Sequence, residues 1–163
     1  MLPQAFGRAT GITIGTGGTL YASDGNSNLI RIFGSNRTQS ATLPISSYPA
    51  GLDFAPDGNL AVCSFLSKAI YEVDTATGTR STLTTQFTNP QDIEFNADSP
   101  YYVSYASGNS LALVAPNGMI LHSANTGDFS DSIAVYNVPE PASLSLLGLG
   151  VMGLLLKRRR VRQ

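Results

Sequence analysis

Tryptophan is absent from these 163 residues, cysteine and histidine occur once each, and only 13% of positions are charged. The single cysteine, Cys63, excludes an internal disulfide framework. It stands in an alternating, strand-like run, which predicts a buried structural thiol. The single histidine, His122 in ILHSA, has no nucleophile signature near it, so neither a Ser–His–Asp nor a Cys–His arrangement is written in the chain. His122 reads as a strand residue. The opening MLPQAFGRATGITIG has no charged segment followed by an apolar one, so it lacks the plan of a secretory leader.

Positive charge is scarce over most of the chain as well. Lys157, Arg158, Arg159, Arg160 and Arg162 supply five of the ten basic residues, leaving five against all eleven acidic ones in everything before them. A body with a balance of −6 repels nucleic acid, which argues against that class of partner. The terminal basic cluster adjoins an apolar run and points to a membrane edge. What is plentiful is Gly, Ser, Thr and Asn, a composition that suits short strands joined by many turns.

The chain repeats itself at about forty residues. GITIGTGGTLYAS at 11–23 aligns with GLDFAPDGNLAVC at 51–63 and with DIEFNADSPYYVS at 92–104, at offsets of 40 and 41. SIAVY at 132–136 opens a fourth copy. Each copy runs through a short alternating strand, a Gly/Asp/Pro turn, the apolar strand LYAS, LAVC or YYVS, and a polar loop. A third strand (LIRIF, AIYEV or LALV), another turn, and a Thr/Ser-rich outer strand complete it. Four short antiparallel strands per copy predict a β-propeller blade.

The copies SYPAGLDFAPDGNLAVCSFLSKAIYEVDTATG and TNPQDIEFNADSPYYVSYASGNSLALVAPNG resemble the NHL and gluconolactonase-like propeller repeats. The expectation is therefore an all-β, partial β-propeller of about three blades in 1–137, with repeats near 11–50, 51–91 and 92–131 and a fourth begun at 132–136. Propellers close with four or more blades, so three leave strand edges and a core flank open. Several copies assembling, or a longer parent chain, would each answer that, and the absent leader favours the longer chain. The resemblance implies a divalent metal held by side chains around a central channel, for which Asp24, Asp53, Asp92 and Glu94 are the candidates. Asp53 and Glu94 alternate with core residues, so they are either channel-lining or solvated, and the solvated reading is preferred. No ligand set, cofactor or catalytic residue is assigned.

Other stretches imitate motifs. DGNSN at 24–28 begins like a calcium loop, but Leu29 stands where Gly is needed and Ser35 where Glu is needed, so it reads as a turn capped by Asp and Asn. Asn36-Arg37-Thr38 is a glycosylation sequon by letter. GLGVMG at 148–153 matches G-x-G-x-x-G without the strand before it or the acidic residue after it, and is rejected as a nucleotide loop.

The end of the chain carries the sharpest signal. Ala142–Leu156 is an apolar run of 15 residues. As a helix it would extend about 22 Å, short of a hydrocarbon core of about 30 Å. Val138, Pro139, Glu140 and Pro141 before it impose an extended linker. The basic block after it favours the cytoplasmic face, and its aliphatic stems lengthen the span by snorkelling. Linker, short apolar helix and terminal arginines resemble the PEP-CTERM sorting signal. That resemblance implies a C-terminal transmembrane helix in 142–163, an exosortase that recognises 138–141, and transient residence in the inner membrane of a Gram-negative bacterium through 142–156. Release to the cell surface or exopolysaccharide matrix follows. The expected role is a non-catalytic binding or structural protein, with exopolysaccharide a conceivable partner. The alternative is a fragment of a metal-dependent gluconolactonase- or lyase-like enzyme.

Overall fold

The computed structural model describes residues 5–95, 100–105, 109–127 and 131–135. Twelve strands are found among them, in three four-stranded antiparallel sheets. The first sheet holds β1 (Ala9–Ile14), β2 (Leu20–Asp24), β3 (Leu29–Phe33) and β4 (Gln39–Pro44) in sequential order. The second holds β5 (Pro49–Phe54), β6 (Leu60–Ser64), β7 (Ala69–Val73) and β8 (Arg80–Thr84). The third holds β9 (Pro90–Phe95), β10 (Tyr101–Tyr105), β11 (Ser110–Val114) and β12 (Ile120–Asn125). These meanders are the three blades expected from the repeat, each a little longer at its first strand than the alternation alone indicated.

Local chemistry makes the turns. Between the second and third strands of the blades, Asn28, Lys68 and Asn109 occupy equivalent positions at φ 55°, 55° and 44°. Asn tolerates that left-handed backbone readily. Asp57, between the first and second strands, and Asp74 and Asn117, between the third and fourth, cap their turns by accepting from backbone N–H groups two residues on.

Blades stack flank to flank, and the alternation within each strand decides which flank a side chain serves. Tyr21, Ile30 and Leu43 of the first blade pack against Leu52, Phe54, Leu60, Val62 and Val73 of the second. The other flank of the second blade, with Ala61, Cys63 and Ile70, packs against Ile93, Tyr101, Val103 and Val114 of the third. Each blade therefore has a leading flank, met by the blade before it, and a trailing flank, met by the blade after it. Cys63 is buried in the second junction, and burial beside the Asp92 charge pushes its thiol up. His122 lies exposed on the outer strand β12.

The innermost strands approach closely. A Cβ on Gly51 would run into Asp92 Oδ1 and lie 2.5 Å from Asp92 Cα and 2.8 Å from Gln91 O. Only glycine fits between β5 and β9 at that point. Residues 131–135 lie beside β9, with Ile133 N donating to Asp92 Oδ2 at 2.9 Å, but join no sheet.

No helix among the described residues is long and apolar enough to cross a membrane. The linker 138–141 and the segment 142–163 lie outside the described residues.

Candidate functional site

The inner strands bring one acidic cluster together. Asp53 on β5 accepts from three directions: Thr13 Oγ1 of β1 at 3.0 Å, Phe54 N at 2.8 Å, and Phe95 N of β9 at 3.0 Å. It thus ties all three blades at their inner ends. Asp92 accepts from Ile93 N at 3.0 Å and from Ile133 N, extending the same device toward residues 131–135. Both carboxylates are half-buried, so their lone pairs are engaged by N–H and O–H donors in place of water.

Glu94, next to Asp92 on the far side of Ile93, has no comparable set of donors among the described residues. Burial, the charges of Asp53 and Asp92, and a hydrogen bond shared with Asp53 push its carboxyl up to about 7. Below about pH 7 the Glu94 carboxyl is therefore protonated beside the charged Asp53. Asp92 is raised too, by burial first and by the Asp53 charge, against the lowering hydrogen bonds from Ile133 and Ile93.

Asp24 goes elsewhere. It is buried in the first blade, where Gly7 N and Arg8 N donate to its Oδ1, both at 3.0 Å, and Arg31 Nε donates to its Oδ2 at 2.9 Å. Burial alone would raise its pKa, but these donors and Ser27 outweigh it and hold the carboxyl well below the usual carboxylate range. Asp24 is a structural anchor for the segment before β1, and Ser27 N closes the turn that DGNSN suggested.

Of the four metal candidates, the structure brings Asp53, Asp92 and Glu94 together and separates Asp24. The fit to a resident divalent ion fails on geometry. Among the described residues no group of three His, Cys, Asp or Glu side chains is placed to hold a metal ion. The oxygens of Asp53 and Asp92 already bind backbone amides, which makes these residues inter-blade bolts. Neither the channel-lining nor the solvated reading of the sequence included that role. The pattern that could have shown it is Thr13, Asp53 and Glu94 recurring at one repeat position, all polar inside apolar first strands. Arg31 was missed as well. A lone Arg in the apolar strand LIRIF asks for a buried acidic partner, and Asp24 is the one across the turn.

Val138, Pro139, Glu140 and Pro141, and the basic residues Lys157, Arg158, Arg159, Arg160 and Arg162, lie outside the described residues. Residues 137–160 match the family model of the PEP-CTERM protein-sorting motif, and the C-terminal segment is such a motif. No curated protein matches the chain.

Solved structures match the body. A protein designated a gluconolactonase by family is 18% identical with TM-score 0.69, over 86% of this chain and 55% of that one. A streptogramin B lyase is 22% identical with TM-score 0.64, over 76% and 42%. Hydrazine synthase of Kuenenia stuttgartiensis is 19% identical with TM-score 0.65, over 77% and 38%. Three activities on one architecture at such identities establish a propeller-like fold and nothing about chemistry. The chain spans about half or less of the length of these solved chains.

Proposed function

We propose that this chain is an exported binding or structural protein, delivered to the cell surface or exopolysaccharide matrix of a Gram-negative bacterium by exosortase processing. The match of residues 137–160 to the PEP-CTERM motif carries the reading. In it, Val138, Pro139, Glu140 and Pro141 are the recognition element and Ala142–Leu156 halts in the inner membrane. The cluster from Lys157 to Arg162 stays on the cytoplasmic side. These residues are substrate for the processing enzyme, and the propeller body is the cargo. A span of 15 apolar residues with Gly148, Gly150 and Gly153 is a marginal anchor, which suits a segment that is cut away.

Replacing Pro139, Glu140 and Pro141 together by Ala tests it in a host that carries an exosortase. The uncleaved form is expected to accumulate in the membrane fraction. Processing and release equal to the unaltered chain would overturn the assignment.

A second reading, a gluconolactonase- or lyase-like enzyme, has one observation on its side. Glu94 is a half-buried carboxyl near neutrality at the inner end of the blades, the range in which general acid–base groups work. Hydrolysis of a simple lactone that is lost in Glu94→Gln would favour this reading; an inactive chain leaves the binding role.

A further inference from the structure

We infer that Gln91 and Asp92 are positioning residues for the processing step. They strap residues 131–135 to the third blade, hold the folded body close to the sorting motif, and so restrain cleavage until the strap lets go. The inference rests on the exosortase reading of residues 138–141, whose regulation it describes.

The strap has two fastenings. Asp92 Oδ2 accepts from Ile133 N at 2.9 Å, and Gln91 Nε2 donates to Asp131 Oδ1 at 3.0 Å. Asp92 is already set for this role within the blades. Its Oδ1 accepts from Ile93 N at 3.0 Å and lies where a Cβ on Gly51 would stand, which leaves Oδ2 for Ile133. The fastening is light. Ile133 comes 40 residues after Ile93, yet Ile93 is fully buried and laddered to Val103, whereas Ile133 and Val135 are only half-buried. Asp131, Ser132 and Ala134 are exposed, and among the described residues 131–135 join no sheet. A segment held this way opens at far lower cost than a blade.

Its place in the chain gives the strap its effect. The match to the sorting motif begins at residue 137, directly after the strapped residues. From Ile133 to Val138 the chain advances five residues, which reach at most about 17 Å when fully extended. A folded unit of this size has a radius of gyration of about 14 Å. With the strap fastened, the body is therefore held within roughly its own radius of the motif. An enzyme that takes 138–141 into a cleft at the membrane face needs slack chain. The apolar run 142–156, seated in the bilayer, gives none on its side. Once the strap opens, the leash starts at Gly127, whose N–H donates to Asn125 Oδ1 at the end of β12. From there eleven residues reach about 37 Å, roughly double the clearance. Cleavage proceeds from the unfastened fraction of the chain, and its rate follows that fraction.

The test is the rate at which the pulse-labelled full chain is processed in a host that carries an exosortase. Ile133→Pro removes the N–H that Asp92 accepts. Losing a hydrogen bond to a charged acceptor moves the equilibrium about ten-fold toward the open strap, so processing should quicken by up to that factor. Asp131→Ala, at an exposed position, should act in the same direction by a smaller factor. About six Gly and Ser residues inserted between Tyr136 and Asn137 should match the faster rate with the strap still fastened. Ile133→Pro added to that insertion should gain nothing further, a result that a purely structural role of the strap would not produce. Processing of Ile133→Pro at or below the unaltered rate, or an insertion without effect, would overturn the inference. If Ile133→Pro does not fold, the insertion and Asp131→Ala decide. The chain with Pro139, Glu140 and Pro141 replaced by Ala, run in parallel, separates the two claims. If it is processed normally, the sorting reading fails and the strap's role falls with it. If it is blocked while the strap variants match the unaltered chain, the strap alone fails.

Discussion

Arg31 Nη2 lies 2.6 Å from Asp24 Oδ2, and both side chains are buried in the first blade. The pair is the only ion pair found among the described residues, and it also gathers Gly7 N, Arg8 N and the carbonyl of Ala5. The guanidinium packs 4.9 Å from the Phe6 ring, so one ion pair fastens the whole segment ahead of β1.

Arg31→Met should therefore cost about 3–5 kcal/mol, because it leaves the Asp24 charge buried without its countercharge. A urea midpoint for Arg31→Met equal to that of the unaltered chain would show the pair to be dispensable, with the core truncation Ile93→Ala as the positive control. The truncation itself should cost about 2–5 kcal/mol.

Acidity acts on this arc with two opposite signs. Glu94 has its carboxyl raised from 4.5 to about 7, so the folded state binds its proton more tightly than the unfolded state does. That contribution is complete below the unfolded value and is lost as pH rises through about 7. Asp24 has its pKa lowered, so its contribution is present above the unfolded value near 3.8 and disappears as pH falls below it. Thermal stability should be greatest in the mildly acidic range and fall between pH 5 and pH 8. Glu94→Gln should flatten the upper fall without touching the acid limb. Melting curves across pH read this directly.

Gly51→Ala should destabilise by about 1–3 kcal/mol, since the methyl meets the Asp92 backbone, which cannot swing aside as a side-chain tip does. The measurement is again the denaturation midpoint. A neutral result would mean that the second and third blades are free to separate at their inner ends.

Cys63 should resist alkylation in the folded protein and react once urea has unfolded it, because it is fully buried and its thiol is raised by burial and by Asp92. Labelling of the native chain at the unfolded rate, followed by mass spectrometry, would place the thiol outside the junction between the second and third blades.

Most of the blade plan was legible in one dimension. Offsets of 40 and 41, alternating apolar positions and Asp/Asn/Gly turns are local properties, and each strand follows from a handful of neighbouring residues. The same holds for the C-terminal motif, which is a run of contiguous letters. Even the burial of Cys63 followed from alternation within LAVC.

Tertiary structure alone decided what the polar residues on the first strands do. Asp53 meets its two remote partners at separations of 40 and 42 residues, one in the blade before it and one in the blade after it. Alternation says that such a side chain leaves the sheet on one side. It does not say whether water, a metal ion or a backbone amide waits there. The answer depends on how closely the inner strands converge, and that is set by Gly51 fitting against Asp92 across two blades. Packing within the first blade made Asp24, an acidic candidate beside the others in the sequence, the buried partner of Arg31. Sequence determined the strands, the repeat and the address. Packing within and between blades assigned the charges, because a charge takes its role from the neighbours that replace its water.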